Sequence, residues 1–239
     1  GLYRSAYEHE GKKMWMAVTQ FEPVDARRAL VCWDQPDSKS KYRVSVTTTK
    51  DRVCLGNMPI VKESDVGDGR KKVEFDNSPK MSAYLLALVI GHFDYVEGVT
   101  KNGVKVRTYT AVGKSADGKF ANSVGVKSLD FYQDFFGVPY PLPKLDMIAI
   151  TDFAAGAMEN WGLVTYRETA LLFNEATTSS ARKQWVAIVV AHELAHQWFG
   201  NLVTMQWWNN LWLNESFATY MEYFCIDKLF PEWNVWMNF

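Results

Sequence analysis

Two histidines stand four residues apart in His192-Glu193-Leu194-Ala195-His196, with a carboxylate directly after the first. On a helix, residues four apart share a face and lie about 5–6 Å apart at Cβ, which suits two ligands on one metal ion. Glu193 then stands beside them, able to reach a water at the ion without ligating it. With four His and thirteen Glu in 239 residues, chance supplies such a pattern only about 0.004 times. The competing reading, two satisfied core histidines, is weakened by the cost of unpaired imidazoles and a carboxylate inside an apolar helix. A catalytic zinc takes three protein ligands and keeps one position open. No Cys is placed to help, and His9 and His92 lie far off in a β-like region, so a carboxylate is the simplest third ligand. Glu215 follows His196 by 19 positions, on the next predicted helix. Glu222, seven residues beyond Glu215, shares its face and can accept a ligand histidine's other N–H. A partly exposed helix charge is the equal alternative for Glu222.

These side chains need two helices folded against one another. The pattern predicts a helix from Ser179 through Phe199, apolar on every side and therefore in the core, with Ser179 or Ser180 capping its first amides and Gly200-Asn201 closing its end. A turn over Asn201 to Asn210 lets a second helix, about Leu211 to Phe230, fold back until Pro231 stops it. Upstream, Lys119 to Phe136 is helical and stops at Gly137. Leu145 to Ile150 and Leu163 to Tyr166 read as strands. Before residue 98 the signal is strand and turn: Tyr42 to Thr49, Lys72 to Phe75 and the apolar run Ala83 to Phe93, separated by Gly56-Asn57 and by Asp65-Val66-Gly67-Asp68-Gly69. Arg70-Lys71-Lys72 reads as solvated loop charge. Asn102-Gly103 predicts a tight hairpin turn between Tyr95–Thr100 and Val104–Thr110, both turn residues taking positive φ.

Composition narrows the class. Lys plus Arg total 26 and Asp plus Glu 27, a formal charge of −1, which excludes an electrostatic nucleic-acid binder. No apolar run reaches the roughly 18 residues of a membrane span, and Gly1 is not followed by a leader pattern. Cys32, Cys54 and Cys225 form no CxxC pair and favour a reducing compartment. Seven of the ten Trp fall between Trp185 and Trp236, concentrating aromatic bulk where the histidines are.

Gly156-Ala157-Met158-Glu159-Asn160 spells GAMEN, upstream of the HExxH pattern and of Glu215 after eighteen intervening residues. That combination resembles the zinc aminopeptidases of the gluzincin group. Asp152-Phe153-Ala154-Ala155, Trp161 to Glu168, Thr19-Gln20-Phe21-Glu22, Asp25-Ala26-Arg27-Arg28 and Cys32-Trp33-Asp34 are similar to the puromycin-sensitive branch in particular. Gln35 and Ser216 depart from that pattern, and neither is a proposed ligand. The resemblance implies one Zn2+ on His192, His196 and Glu215, Glu193 as general base, and Glu159 with Glu22 holding a substrate's free α-ammonium. It also implies that Gly156 and Ala157 run beside the substrate, that Met158 lines the first side-chain pocket and that Asn160 belongs to the substrate site. From the residues alone, Glu159 reads as an ordinary loop carboxylate.

The implied fold is α+β. Residues 1–98 would be the C-terminal portion of a saddle-like antiparallel β domain, and 99–239 the N-terminal portion of a thermolysin-like catalytic domain. The implied activity is removal of single residues from peptides with a free N-terminal amine, in the cytoplasm. The family's oxyanion tyrosine would lie beyond the stretch present here, because Tyr220 and Tyr223 are too close to Glu215. A non-catalytic, zinc-held peptide-binding module is the alternative, and GAMEN disfavours an endopeptidase.

Overall fold

The computed structural model describes residues 1–239, the side chain of Asn238 excepted. The chain opens with a hairpin, β1 (Leu2–His9) and β2 (Lys12–Thr19), turning at Glu10 and Gly11, both at positive φ. The next strands are β3 (Ser45–Thr49), β4 (Val53–Gly56), β5 (Ile60–Gly67) and β6 (Arg70–Phe75). The expected long run Ala83 to Phe93 is divided. Ala83–Leu85 makes a 3-10 turn, β7 covers Leu88–Gly91, and β8 (Phe93–Val99) turns away into another sheet. These strands build a four-stranded sheet ordered β1-β2-β7-β4 and a three-stranded sheet β3-β6-β5, antiparallel throughout.

Arg70-Lys71-Lys72 is not a loop. It opens β6, the central strand of the small sheet, opposite Thr49, Thr48 and Thr47. Cross-strand Thr partners and the ion pair of Lys71 with Glu63 at 3.2 Å hold these basic residues in the ladder. The turn before it narrows to Asp68-Gly69, where both residues are left-handed (φ 49° and 69°). That is the geometry expected at Asn102-Gly103, where only Gly103 has positive φ. There the Gly103 amide donates to Thr100 and the loop is longer than two residues.

The third sheet positions the site. β9 (Lys105–Ala111) completes the predicted hairpin with β8, and a helix, α1 (Lys119–Phe136), ends at left-handed Gly137 as expected. β10 (Lys144–Ile150) is buried at every residue and lies parallel to both β9 and β12 (Leu163–Arg167). Its apolar residues suit such a doubly covered central strand, and the two charges it carries, Lys144 and Asp146, are buried as a pair. β11 (Ala157–Met158) pairs antiparallel with β12, giving the order β11-β12-β10-β9-β8 with β11 at the edge. After the short α2 (Glu168–Leu171), α3 (Ser180–Ala195) and α4 (Trp212–Leu229) pack on one another and on α1. Ser179 caps α3 by accepting from the Arg182 amide at 3.3 Å. The regular helix ends at Ala195 rather than Phe199, although His196 keeps helical φ and ψ and its amide still bonds the His192 carbonyl.

Two polar side chains join the first sheet to the third. Asn57 Nδ2 donates to the carbonyls of Leu85 and Trp161 at 2.8 and 2.9 Å. Lys144 Nζ pairs with Asp146 at 2.7 Å and reaches the carbonyls of Gly56 and Gly162 at 2.6 and 2.7 Å. Gly162, at φ 80°, lets the Asn57 carbonyl approach so closely that a Cβ would sit 2.3 Å from it. The main core runs continuously from β2 and β7 through the third sheet to α1, α3 and α4. Among the described residues, no helix is long and apolar enough to cross a membrane.

Candidate functional site

The C-terminal turn of α3 and the first turn of α4 meet at one end of the helix pair. His192 and His196 bring their rings together edge to face, centroids 4.6 Å apart and Nε2 atoms 3.0 Å apart. Glu215 Oε2 lies 3.3 Å from the first Nε2 and 3.6 Å from the second. The opposite ring nitrogens are committed. His192 Nδ1 bonds Glu222, and His196 Nδ1 lies 2.9 Å from the Phe199 carbonyl. Both partners only accept, so both Nδ1 atoms carry the proton in the neutral tautomers. Two Nε2 lone pairs and a carboxylate oxygen therefore converge with no hydrogen between them, an arrangement that repels itself unless a cation sits there.

Protonation of the imidazoles is the alternative relief, and the electrostatics reflect it. Burial lowers His196, but the charge of Glu159 and the bond to Glu215 outweigh it and raise the ring to about 9. His192 is likewise lowered by burial and raised well above its usual value by Glu215 and Glu222. Burial alone would raise Glu215, yet the two imidazoles hold it well below the usual carboxylate range. The donor set, two imidazoles and a carboxylate with the outer nitrogens fixed, fits zinc.

Glu193 is buried beside this cluster. Burial raises its carboxyl to about 8, His192 and His196 pulling it down and Glu159 and Glu215 pushing it up. Its Oε2 has no hydrogen-bond partner. It lines a cavity of about 260 Å3 with Gly156, Ala157, Trp185, Ile188 and Glu222. On the other side, one oxygen each from Glu22, Glu159 and Glu215 lie within 4.8 Å of one another. Burial, then Glu159 and Glu215, push Glu22 up to about 9. Glu159 is buried, with Oε1 unpartnered. Such a knot of carboxylates is relieved either by a proton on one of them or by a cation delivered to it.

Residues 120–239 match the peptidase family M1 domain, and residues 1–85 match the peptidase M1 N-terminal domain. The chain belongs to the M1 peptidase family. It is 62% identical over 239 residues to aminopeptidase M1-D of Oryza sativa subsp. japonica and 60% identical over 239 residues to aminopeptidase M1 of Arabidopsis thaliana. Each match takes in 100% of this chain and 27% of the relative. The puromycin-sensitive aminopeptidase of Caenorhabditis elegans is 48% identical over 241 residues, covering 100% of this chain and 25% of that protein. The chain spans about a quarter of the length of these curated relatives.

In this M1 chain, GAMEN sits across the edge of the third sheet. β11 leaves its outer side unpaired, and Gly156 has open space where a side chain would stand. Met158 is buried in the main core, and Asn160 is buried with its Nδ2 donating to Thr165 at 3.2 Å. Both side chains thus face inward, Met158 from β11 and Asn160 from the segment that follows it. Sequence reasoning passed over three neighbours of the site. Tyr84 has a buried hydroxyl beside Asn214, held well above its usual pKa by burial and by Glu159, Glu22 and Glu215. Nothing in its local sequence marks it. Gln197 and Asn201 are buried amides touching the Glu159 carbonyl. Two carboxamides within the apolar stretch that follows His196 were the available signal.

Proposed function

We propose that this chain carries the metal site and amine anchor of a zinc aminopeptidase, which removes single amino acids from the free N-terminus of peptides. One observation carries the reading. The histidine-carboxylate cluster and the Glu22–Glu159 pair share Glu215, so a cation site and an ammonium site lie one residue's reach apart. His192, His196 and Glu215 would hold one Zn2+, and Glu222 would fix His192 from behind. Bound there, zinc supplies a Lewis acid for the scissile carbonyl and brings the attacking water near pKa 7.

The chain's own residues do the rest. Glu22 and Glu159 bind the substrate's α-ammonium, which answers their mutual repulsion. Gly156 and Ala157 offer their free strand edge to the peptide main chain, and Met158 and Asn160 belong to the same substrate segment. Glu193, through its unpartnered Oε2, takes a proton from the attacking water as the hydroxyl adds to the carbonyl carbon. It returns that proton to the leaving nitrogen as the C–N bond breaks. Distance from the ammonium to Glu193 then decides which bond is cut, and an internal or blocked peptide has no cation for Glu22 and Glu159.

The division of the chain near residue 98 into a β portion and a catalytic portion belongs to this reading. So does a cytoplasmic setting, supported by free thiols at Cys32, Cys54 and Cys225. The test is hydrolysis of an aminoacyl arylamide by the full-length protein, compared with its N-acetylated form, with and without chelator. Chelation and Glu193→Gln should each abolish turnover of the free-amine reporter. Bound zinc without turnover would favour the non-catalytic module, and equal turnover of both reporters an endopeptidase.

A further inference from the structure

Two buried amides near the site touch neither the cation cluster nor the acidic pair's carboxylates. Gln197 and Asn201 lie in the turn that continues α3, both withdrawn from water. A buried carboxamide is costly unless its polar atoms are satisfied, so the destinations of its hydrogen bonds are informative. Gln197 Nε2 donates to the Glu159 carbonyl at 3.2 Å and to the Glu193 carbonyl at 3.0 Å. Its Oε1 accepts from the Gly162 amide at 3.4 Å. Asn201 Nδ2 donates to the same Glu159 carbonyl at 2.9 Å. One backbone oxygen therefore receives two side-chain N–H groups, and one of those amides also grips the main chain of Glu193.

The local fold explains the need. The β11–β12 ladder ends at the Met158–Thr165 pair, so Glu159 lies one residue beyond the last pairing of a two-residue edge strand. Its carboxylate Oε1, like Glu193 Oε2, has no partner in the chain. Each side chain is left for a ligand while its main chain is fixed. We infer that Gln197 and Asn201 are positioning residues that lock the Glu159 anchor to the Glu193 segment and thereby set the preference for a free N-terminus. This rests on the aminopeptidase reading above. Misplacement by about 1 Å is enough to cost catalysis heavily, and a two-residue edge strand cannot hold that tolerance alone.

The test uses the full-length protein with Gln197→Met, which roughly keeps the volume and removes the N–H groups, alone and combined with Glu159→Ala. The readouts are bound metal per chain and the ratio of kcat/KM for a free-amine arylamide to that for its N-acetyl form. Gln197→Met should retain the metal and lower the ratio about tenfold, mainly through KM, the scale of one buried hydrogen bond. In the Glu159→Ala background the same change should move the ratio less than about twofold, because the anchor it positions is gone. An unchanged ratio, an equal fall in both backgrounds or loss of the metal overturns the inference and leaves Gln197 a packing residue. Glu159→Ala leaving the ratio unchanged would instead overturn the aminopeptidase reading. Should Gln197→Met fail to fold, Asn201→Ala removes the other donor and is read in the same way.

Discussion

His192 binds nothing usefully unless its ring is aimed, and the aiming group is Glu222. The carboxylate fixes the Nδ1 proton and turns Nε2 toward His196 and Glu215. Glu222→Ala should weaken zinc binding about 10–100-fold, as loss of such outer partners does, measured by competition with a chromogenic chelator. Glu159→Ala acts elsewhere. On the proposed reading it removes one of two carboxyl groups that would face the substrate's ammonium, so binding of a free-amine substrate should fall at least about tenfold, the scale of a charge-assisted bond. Binding of an N-acetylated analogue should barely change, and paired KM values check this. The His192–His196 pair was legible in the sequence because a helix places residues four apart on one face. Glu222 was legible by the same periodicity from Glu215. Glu22 was not, since it follows β2 and reaches Glu159 only through long-range folding; only the family resemblance named it.

At the level of elements, α3 and α4 must keep their relative height for Glu215 to meet the histidines. Tyr132 on α1 spans them, its hydroxyl 2.9 Å from the Ala191 carbonyl and 3.2 Å from the Met221 carbonyl. Tyr132→Phe should cost about 1 kcal/mol of stability, read from denaturant midpoints, with bound metal retained. Lys144 plays a harsher role between the sheets. Burial lowers its pKa and Asp146, 2.7 Å away, opposes that. Lys144→Met would strand Asp146 and take the ammonium donor from the Gly56 and Gly162 carbonyls, the latter keeping only its bond from the Asp146 amide, and would leave Arg107 at 3.7 Å as the remaining cation. The expected loss is about 3–5 kcal/mol, visible as a large fall in thermal midpoint. The three helices and the strands β9, β10 and β12 were readable from periodicity and from Gly137 and Pro231. The β1–β2 hairpin was missed because Glu10-Gly11 lacks an obvious turn residue at its first position. The partners of β7, which lies between β2 and β4, follow from contacts that no local window contains.

Across the whole molecule, Trp198, Trp208 and Trp233 of the aromatic stretch join the packed body that α3 and α4 share with the β sheets, whereas Trp185, Trp207, Trp212 and Trp236 stay exposed. On the proposed reading, the energy of metal binding at His192, His196 and Glu215 would add to the folding energy of the helices that carry them. Zinc at a hundred times its dissociation constant should stabilise the protein by about 2.7 kcal/mol, and a chelator should remove that increment. Calorimetry with and without chelator reads the difference. The central claim, that these three side chains hold one zinc, is tested most directly by elemental analysis of the purified full-length protein beside its His196→Ala variant. One zinc per chain is expected in the first and a large loss in the second. No zinc at saturating supply, or one zinc that survives His196→Ala, would contradict it.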